Sequence, residues 1–241
     1  MTIFATIAGL TLRALLGRRR SILMLVLAAM PILLGFLVRA NDRDLDNVGP
    51  TLDGFVVRIV LPLIALVFGT AALGAELDDG TAVALLTKPI DRWTIVLAKV
   101  AVAGTLTAAL VVPSTILAGI LMGGTDSRTL SVTFAFALGT LIGSYLYVAI
   151  FLTLSVATSR GLIIGLAYSL VWEGILGGLL PGSEVFSVRE YIGGIASSLA
   201  PSAVTDSLVG GGGFLYAAVA LVIAVVLGSM RLARYEVRGA D

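Results

Sequence analysis

Residues 76–99 read ELDDGTAVALLTKPIDRWTIVLAK, and their reading decides the fold. Apolar runs lie on both sides, at about 56–75 and 93–120. Each is long enough to cross a hydrocarbon core of about 30 Å as a helix. Glu76, Asp78 and Asp79 cannot remain in hydrocarbon, so the first run must end there. Gly80 permits a sharp turn. Thr81 can cap a following helix, whose positive end suits the nearby acids. Val83, Leu85 and Leu86 give that short helix an apolar surface. Pro89 disfavours helix at Lys88. Asp91 can cap the next helix, and Arg92 with Trp93 anchors its entry into the membrane. The segment is therefore a short helix lying across one membrane surface. Its apolar side either docks into a socket on another protein or rests on lipid.

The whole chain agrees with a membrane setting. Of 241 residues, 58% are hydrophobic and 13% charged, and the mean hydropathy is +1.06. Soluble domains carry about 25% charged residues. The apolar runs predict an all-α, polytopic helical membrane protein, with one transmembrane domain over residues 1–241. Six spans are expected, at about 21–38, 56–75, 93–120, 130–157, 162–180 and 213–230. Residues 1–20 suit an interfacial helix on the inner leaflet. The first apolar run is longer than a signal-peptide core, so it is read as a retained span. Residues 39–55 are polar and acidic and are expected to form an external loop. Residues 181–212 are amphipathic and predict short external helices, resting in the outer leaflet, before the sixth span.

Basic residues orient the chain. Arg13, Arg18, Arg19, Arg20, Lys88, Arg92, Lys99, Arg160, Arg231, Arg234 and Arg238 fall on the side of the termini. Arg39, Arg43, Arg58, Arg128 and Arg189 fall on the other. The positive-inside rule then makes both termini, and residues 76–92, cytoplasmic in a cell (plasma or inner) membrane. Arg18, Arg19 and Arg20 are read as an anchor for inner-leaflet phosphates rather than a nucleic-acid patch.

The chain has no His and no Cys. That removes imidazole bases, thiol nucleophiles and the commonest zinc ligands. With one acid deep in a span, no paired catalytic groups are available. No catalytic, metal-ligating or cofactor-binding residue is nominated. A channel is disfavoured because no filter-like or charged-ring segment is present. The deep acid is Glu173, which either pairs with Arg58 near the outer end of the second span or lines a substrate route. Gly139/Gly143, Gly161/Gly165 and Gly174/Gly178 allow close helix approach, most simply within the chain.

In combination, Glu76, Gly80, Thr81, Leu85, Leu86, Thr87, Pro89, Arg92 and Lys99 resemble the segment between the second and third spans of the type 2 (exporter) family of ABC transporter permeases. The basic N-terminal helix, six spans and external segment extend the likeness along the chain. Asp78-Asp79 departs from the Glu-Arg or Glu-Glu found in many relatives. The resemblance implies that Glu76, Gly80, Thr81, Val83, Leu85, Leu86, Thr87, Pro89 and Arg92 form a coupling helix seated on a separate ATPase. It implies two ATPase subunits, which hold ATP and Mg, and a second permease copy or paralogue forming the pathway. The sequence agrees on one point. A phosphate-binding loop needs Lys followed by Ser or Thr, whereas Lys88 precedes Pro89 and Lys99 precedes Val100. The ATPase is therefore expected to be another polypeptide. The alternative is a regulatory or scaffold membrane subunit that binds an ATPase without transporting.

Overall fold

The computed structural model describes residues 3–41, 47–78, 90–173, 186–201 and 212–234. All regular structure among them is helical. The elements are α1 (Ile3–Leu15), α2 (Arg18–Asn41), α3 (Val48–Thr51), a π-helical stretch (Leu52–Val60), α4 (Leu61–Asp78), α5 (Arg92–Gly123), α6 (Ser127–Ala157), α7 (Gly161–Ala167), a second π-helical stretch (Tyr168–Glu173), α8 (Val188–Leu199) and α9 (Gly213–Ala233).

Among the described residues, five helical stretches are long and apolar enough to cross a membrane: Ser21–Ala40, Val48–Gly74, Arg92–Gly123, Ser127–Ala157 and Gly213–Ala233. The expected span at 162–180 is described only as Gly161–Glu173. The remainder of that expected span, residues 174–180, lies outside the described residues.

A correction concerns residues 39–55. Helix α2 continues to Asn41, and α3 begins at Val48, so much of the expected loop is helical. Pro50 is tolerated because it lies in the first turn, where its missing N–H would have no partner. The turn between α5 and α6 falls where the sequence places it. Gly124 takes φ +94°, a conformation open to glycine. The Asp126 carboxylate then caps α6 by accepting from the Thr129 N–H at 3.0 Å. That N–H also holds the Asp126 carboxyl below its ordinary pKa.

Helix α6 is the centre of the bundle, with α4, α5, α8 and α9 packed around it. Phe136, Tyr147, Phe151 and Leu152 on it are completely buried. Helices α2 and α9 lie at the margin and present Leu33, Phe36, Leu37, Val222 and Ile223 outward. Outward apolar faces are what lipid contact requires. Helix α1 turns Ile7, Thr11 and Leu15, one residue per turn, into the protein, against α4 and α5.

Small residues set the close approaches. A Cβ on Gly35 would lie 2.9 Å from the Ala118 carbonyl oxygen, and the Ser114 hydroxyl donates to the Ala28 carbonyl at the same α2–α5 contact. Gly139 and Gly143 seat Ile192 of α8, and Gly165 seats Leu66 and Phe151. These glycine pairs therefore serve packing within the chain. Gly174 and Gly178 lie outside the described residues. Helix α8 itself is buried at Val188 and from Glu190 to Ala196. It is wedged into the bundle instead of resting in the outer leaflet.

Candidate functional site

At the end of the molecule where α4 stops and α5 starts, one ion pair joins the two helices. The Lys99 ammonium donates to Glu76 Oε1 at 2.6 Å and to the Ala72 carbonyl at 2.6 Å. The Lys99 side chain is 1% exposed and that of Glu76 30%. A buried ammonium is tolerated only when paired and hydrogen-bonded. Here α4 supplies both acceptors, one from its backbone and one from its last turn. The pair thus ties together the two ends of the connection carrying residues 79–89.

Of the residues assigned to coupling, Gly80, Thr81, Val83, Leu85, Leu86, Thr87 and Pro89 lie outside the described residues. Glu76 and Arg92 bracket them. Asp91 precedes α5 but caps it with its backbone rather than its side chain. Its carbonyl accepts from the Thr94 N–H at 3.0 Å. Trp93 is 56% exposed beside it, as an interfacial anchor should be. Arg18, Arg19 and Arg20 open α2, and their side chains are outside what is described.

A second polar cluster surrounds the start of α8. Glu173 is buried, 2% exposed. Its Oε1 accepts from the Tyr168 hydroxyl and the Val188 N–H, each at 2.9 Å. Its Oε2 accepts from the Ser187 hydroxyl at 2.7 Å and the Arg189 N–H at 3.4 Å. The carboxylate therefore sits at the positive end of α8 and closes its free amide groups. Ser187 completes the cap by accepting from the Glu190 N–H at 3.3 Å.

The expected pair of Glu173 with Arg58 is not formed. Four donors already occupy the carboxylate, which leaves it no need of a guanidinium. The Arg58 Nε is buried with no acceptor among the described residues.

Arg189 does form a pair. It forks onto Asp53, with Nη2 2.6 Å and Nε 3.0 Å from Oδ2. Its Nη1 lies 3.5 Å from Glu190. Burial alone would lower the Arg189 pKa, but Asp53 outweighs it and the net direction is upward. Asp53 belongs to the first π-helical stretch and Glu173 to the second, so α8 is fastened at one end to two different rods. Sequence reasoning missed this pair because its members are far apart in the chain. Lys99–Glu76 carried a signal, an ionisable residue inside an apolar run.

Next to this cluster a cavity of about 460 Å³ lies between α6, α9 and the start of α8. Ile150, Thr153, Tyr168, Tyr191, Tyr216 and Ile223 are among its walls. The Thr153 hydroxyl is already spent on the Ala224 carbonyl, at 2.8 Å, and that of Tyr168 on Glu173. The size falls within the range of small-molecule sites. No group of acidic, His or Cys side chains suited to a metal ion occurs among the described residues.

Residues 16–177, from the end of α1 to just past Glu173, match the family described as ABC-2 family transporter protein. No curated protein matches the chain.

Proposed function

Because the chain belongs to the ABC-2 family of transporter proteins, we propose that it is the transmembrane subunit of an ATP-driven exporter, coupled to separate ATPase subunits. Proteins of this family are the membrane component of an ABC transporter, and the chain is a multi-pass membrane protein on that ground and on its apolar helices. The proposal adds four things: two ATPase subunits carrying ATP and Mg, a second permease copy or paralogue, a plasma or inner membrane location, and cytoplasmic termini.

One observation carries the coupling. The Lys99–Glu76 pair makes the end of α4 and the start of α5 a single unit at 2.6 Å. A force applied to the connection between them reaches both helices together. An ATPase gripping residues 81–87 would then move two rods, and through α6 the rest of the bundle.

The test is Leu85→Asp combined with Leu86→Asp. The variant should insert in the membrane at normal levels and fail to co-purify with its ATPase. Co-purification as strong as wild type would sink the reading. Reconstitution with the ATPase then separates transport from a scaffold role: ATP-dependent substrate movement is expected.

A further inference from the structure

Arg58 is the one charged residue of the first rod for which the bundle supplies no partner among the described residues. It lies ten residues into the candidate span Val48–Gly74, at most about 15 Å along the helix from Val48. Its guanidinium offers five N–H donors and no acceptor. A cation within an apolar span, without a partner among the described residues, marks a functional position.

Three observations point to what it meets. The Nε is buried and has no acceptor, while the side chain as a whole is only partly covered. The acids of the cluster around the start of α8 are engaged with other groups: Asp53 by the Arg189 fork, Glu173 by four donors, and Glu190 beside Arg189. Finally, Arg58 sits in a nine-residue π-helical stretch, Leu52–Val60. Such wide turns are rare and frequent at functional sites. Near it in the chain, Phe55 is half-buried and Ile59 is 38% exposed, so the stretch that carries Arg58 also offers apolar surface.

We propose that Arg58 is a binding site for the phosphate or carboxylate group of an amphiphile, whose apolar part lies along the Phe55–Ile59 face. Guanidinium takes such groups in a two-pronged grip. The apolar surface of that stretch favours an anion attached to hydrocarbon over a free one. The inference needs no ATPase, so it stands or falls apart from the exporter reading.

The experiment uses the purified full chain in detergent. Native mass spectrometry measures retention of phosphatidylglycerol against phosphatidylcholine, and thermal unfolding measures the response to inorganic phosphate. All variants carry Arg18→Gln, Arg19→Gln and Arg20→Gln, which removes lipid held by the N-terminal arginines.

In that background Arg58 should prefer phosphatidylglycerol, and Arg58→Gln should lower the preference about tenfold, the worth of one charged hydrogen-bonded contact. Arg58→Lys should fall between. Loss of lipid preference identifies a headgroup site. A phosphate response lost in Arg58→Gln with lipid retention unchanged identifies a site for free or substrate-borne anions.

Equal lipid preference and equal phosphate response in Arg58 and Arg58→Gln chains would overturn the proposal. If Arg58→Gln does not fold, phosphatidylglycerol held no better than phosphatidylcholine by the chain retaining Arg58, with no phosphate response, overturns it as well.

Discussion

Lys99 and Glu76 are joined unequally: the ammonium is buried and the carboxylate reaches the surface. Removing either partner therefore has different consequences. Glu76→Ala strands a buried cation on one carbonyl, and is expected to cost about 3 kcal/mol. Lys99→Met fills the same space with an apolar side chain and leaves a carboxylate that water can reach, for about 1 kcal/mol or less. The double variant should be milder than Glu76→Ala alone. Thermal unfolding in detergent reads the order, and a Lys99→Met variant less stable than Glu76→Ala would contradict it.

Glu173 acts as a capping group for α8, and its replacement should loosen that helix before anything else. Glu173→Ala leaves the Val188 and Arg189 amides and the Ser187 hydroxyl without their acceptor, and the Tyr168 hydroxyl with only the Phe186 carbonyl. A loss of about 3 kcal/mol is expected from charge-assisted hydrogen bonds. Glu173→Gln keeps one good oxygen and should lose about half as much. Hydrogen exchange at the amides of Val188 and Arg189 should rise in the same order. Unchanged exchange there would mean that the carboxylate does not hold the helix.

Gly213 begins α9 against the backbone of α8. An added Cβ would lie 2.6 Å from the Tyr191 carbonyl oxygen and 2.7 Å from the Ile195 nitrogen. Neither atom belongs to a side chain that could swing aside. Gly213→Ala should therefore destabilise by about 1–3 kcal/mol. Gly9→Ala, where nothing lies within 4 Å, should stabilise α1 slightly or leave it unchanged. Comparable melting shifts downward for both would refute the packing argument.

Thr153 ties α6 to α9 through the Ala224 carbonyl. Hydroxyl bonds between membrane helices are worth about 0.6–1.7 kcal/mol, so Thr153→Val should cost about 1 kcal/mol. Thr107→Val is the comparison, because that hydroxyl only bonds the Ala103 carbonyl within its own helix. Its effect should be smaller. Equal effects would show that the α6–α9 bond contributes nothing of its own.

The positions of α5, α6 and α9 were legible because each is a long apolar run closed by glycine or charge. What escaped was decided by partners far away in the chain. Asp53 reads as loop composition, yet it sits in a helix because Arg189 neutralises it. Glu173 invites an arginine partner when only side chains are considered. Its real partners include backbone amides, which become available only once α8 has been set against α6. The outward amphipathic pattern of α8 suggested lipid, but Gly139 and Gly143 open a notch that takes Ile192 instead. Between α4 and α5, sequence nominated residues and the fold supplied the brace between Glu76 and Lys99.

The length of α5 has a consequence of its own. Thirty-two residues make a rod of about 48 Å, against a hydrocarbon thickness of about 30 Å. With the exposed Trp93 moored at one water boundary, the surplus must emerge beyond the other, unless the rod leans steeply. The Gly124–Asp126 tip then stands clear of the headgroups like a mast. An epitope inserted there would be bound by antibody on intact cells only where that end faces outward, reporting which way the protein faces without opening the membrane.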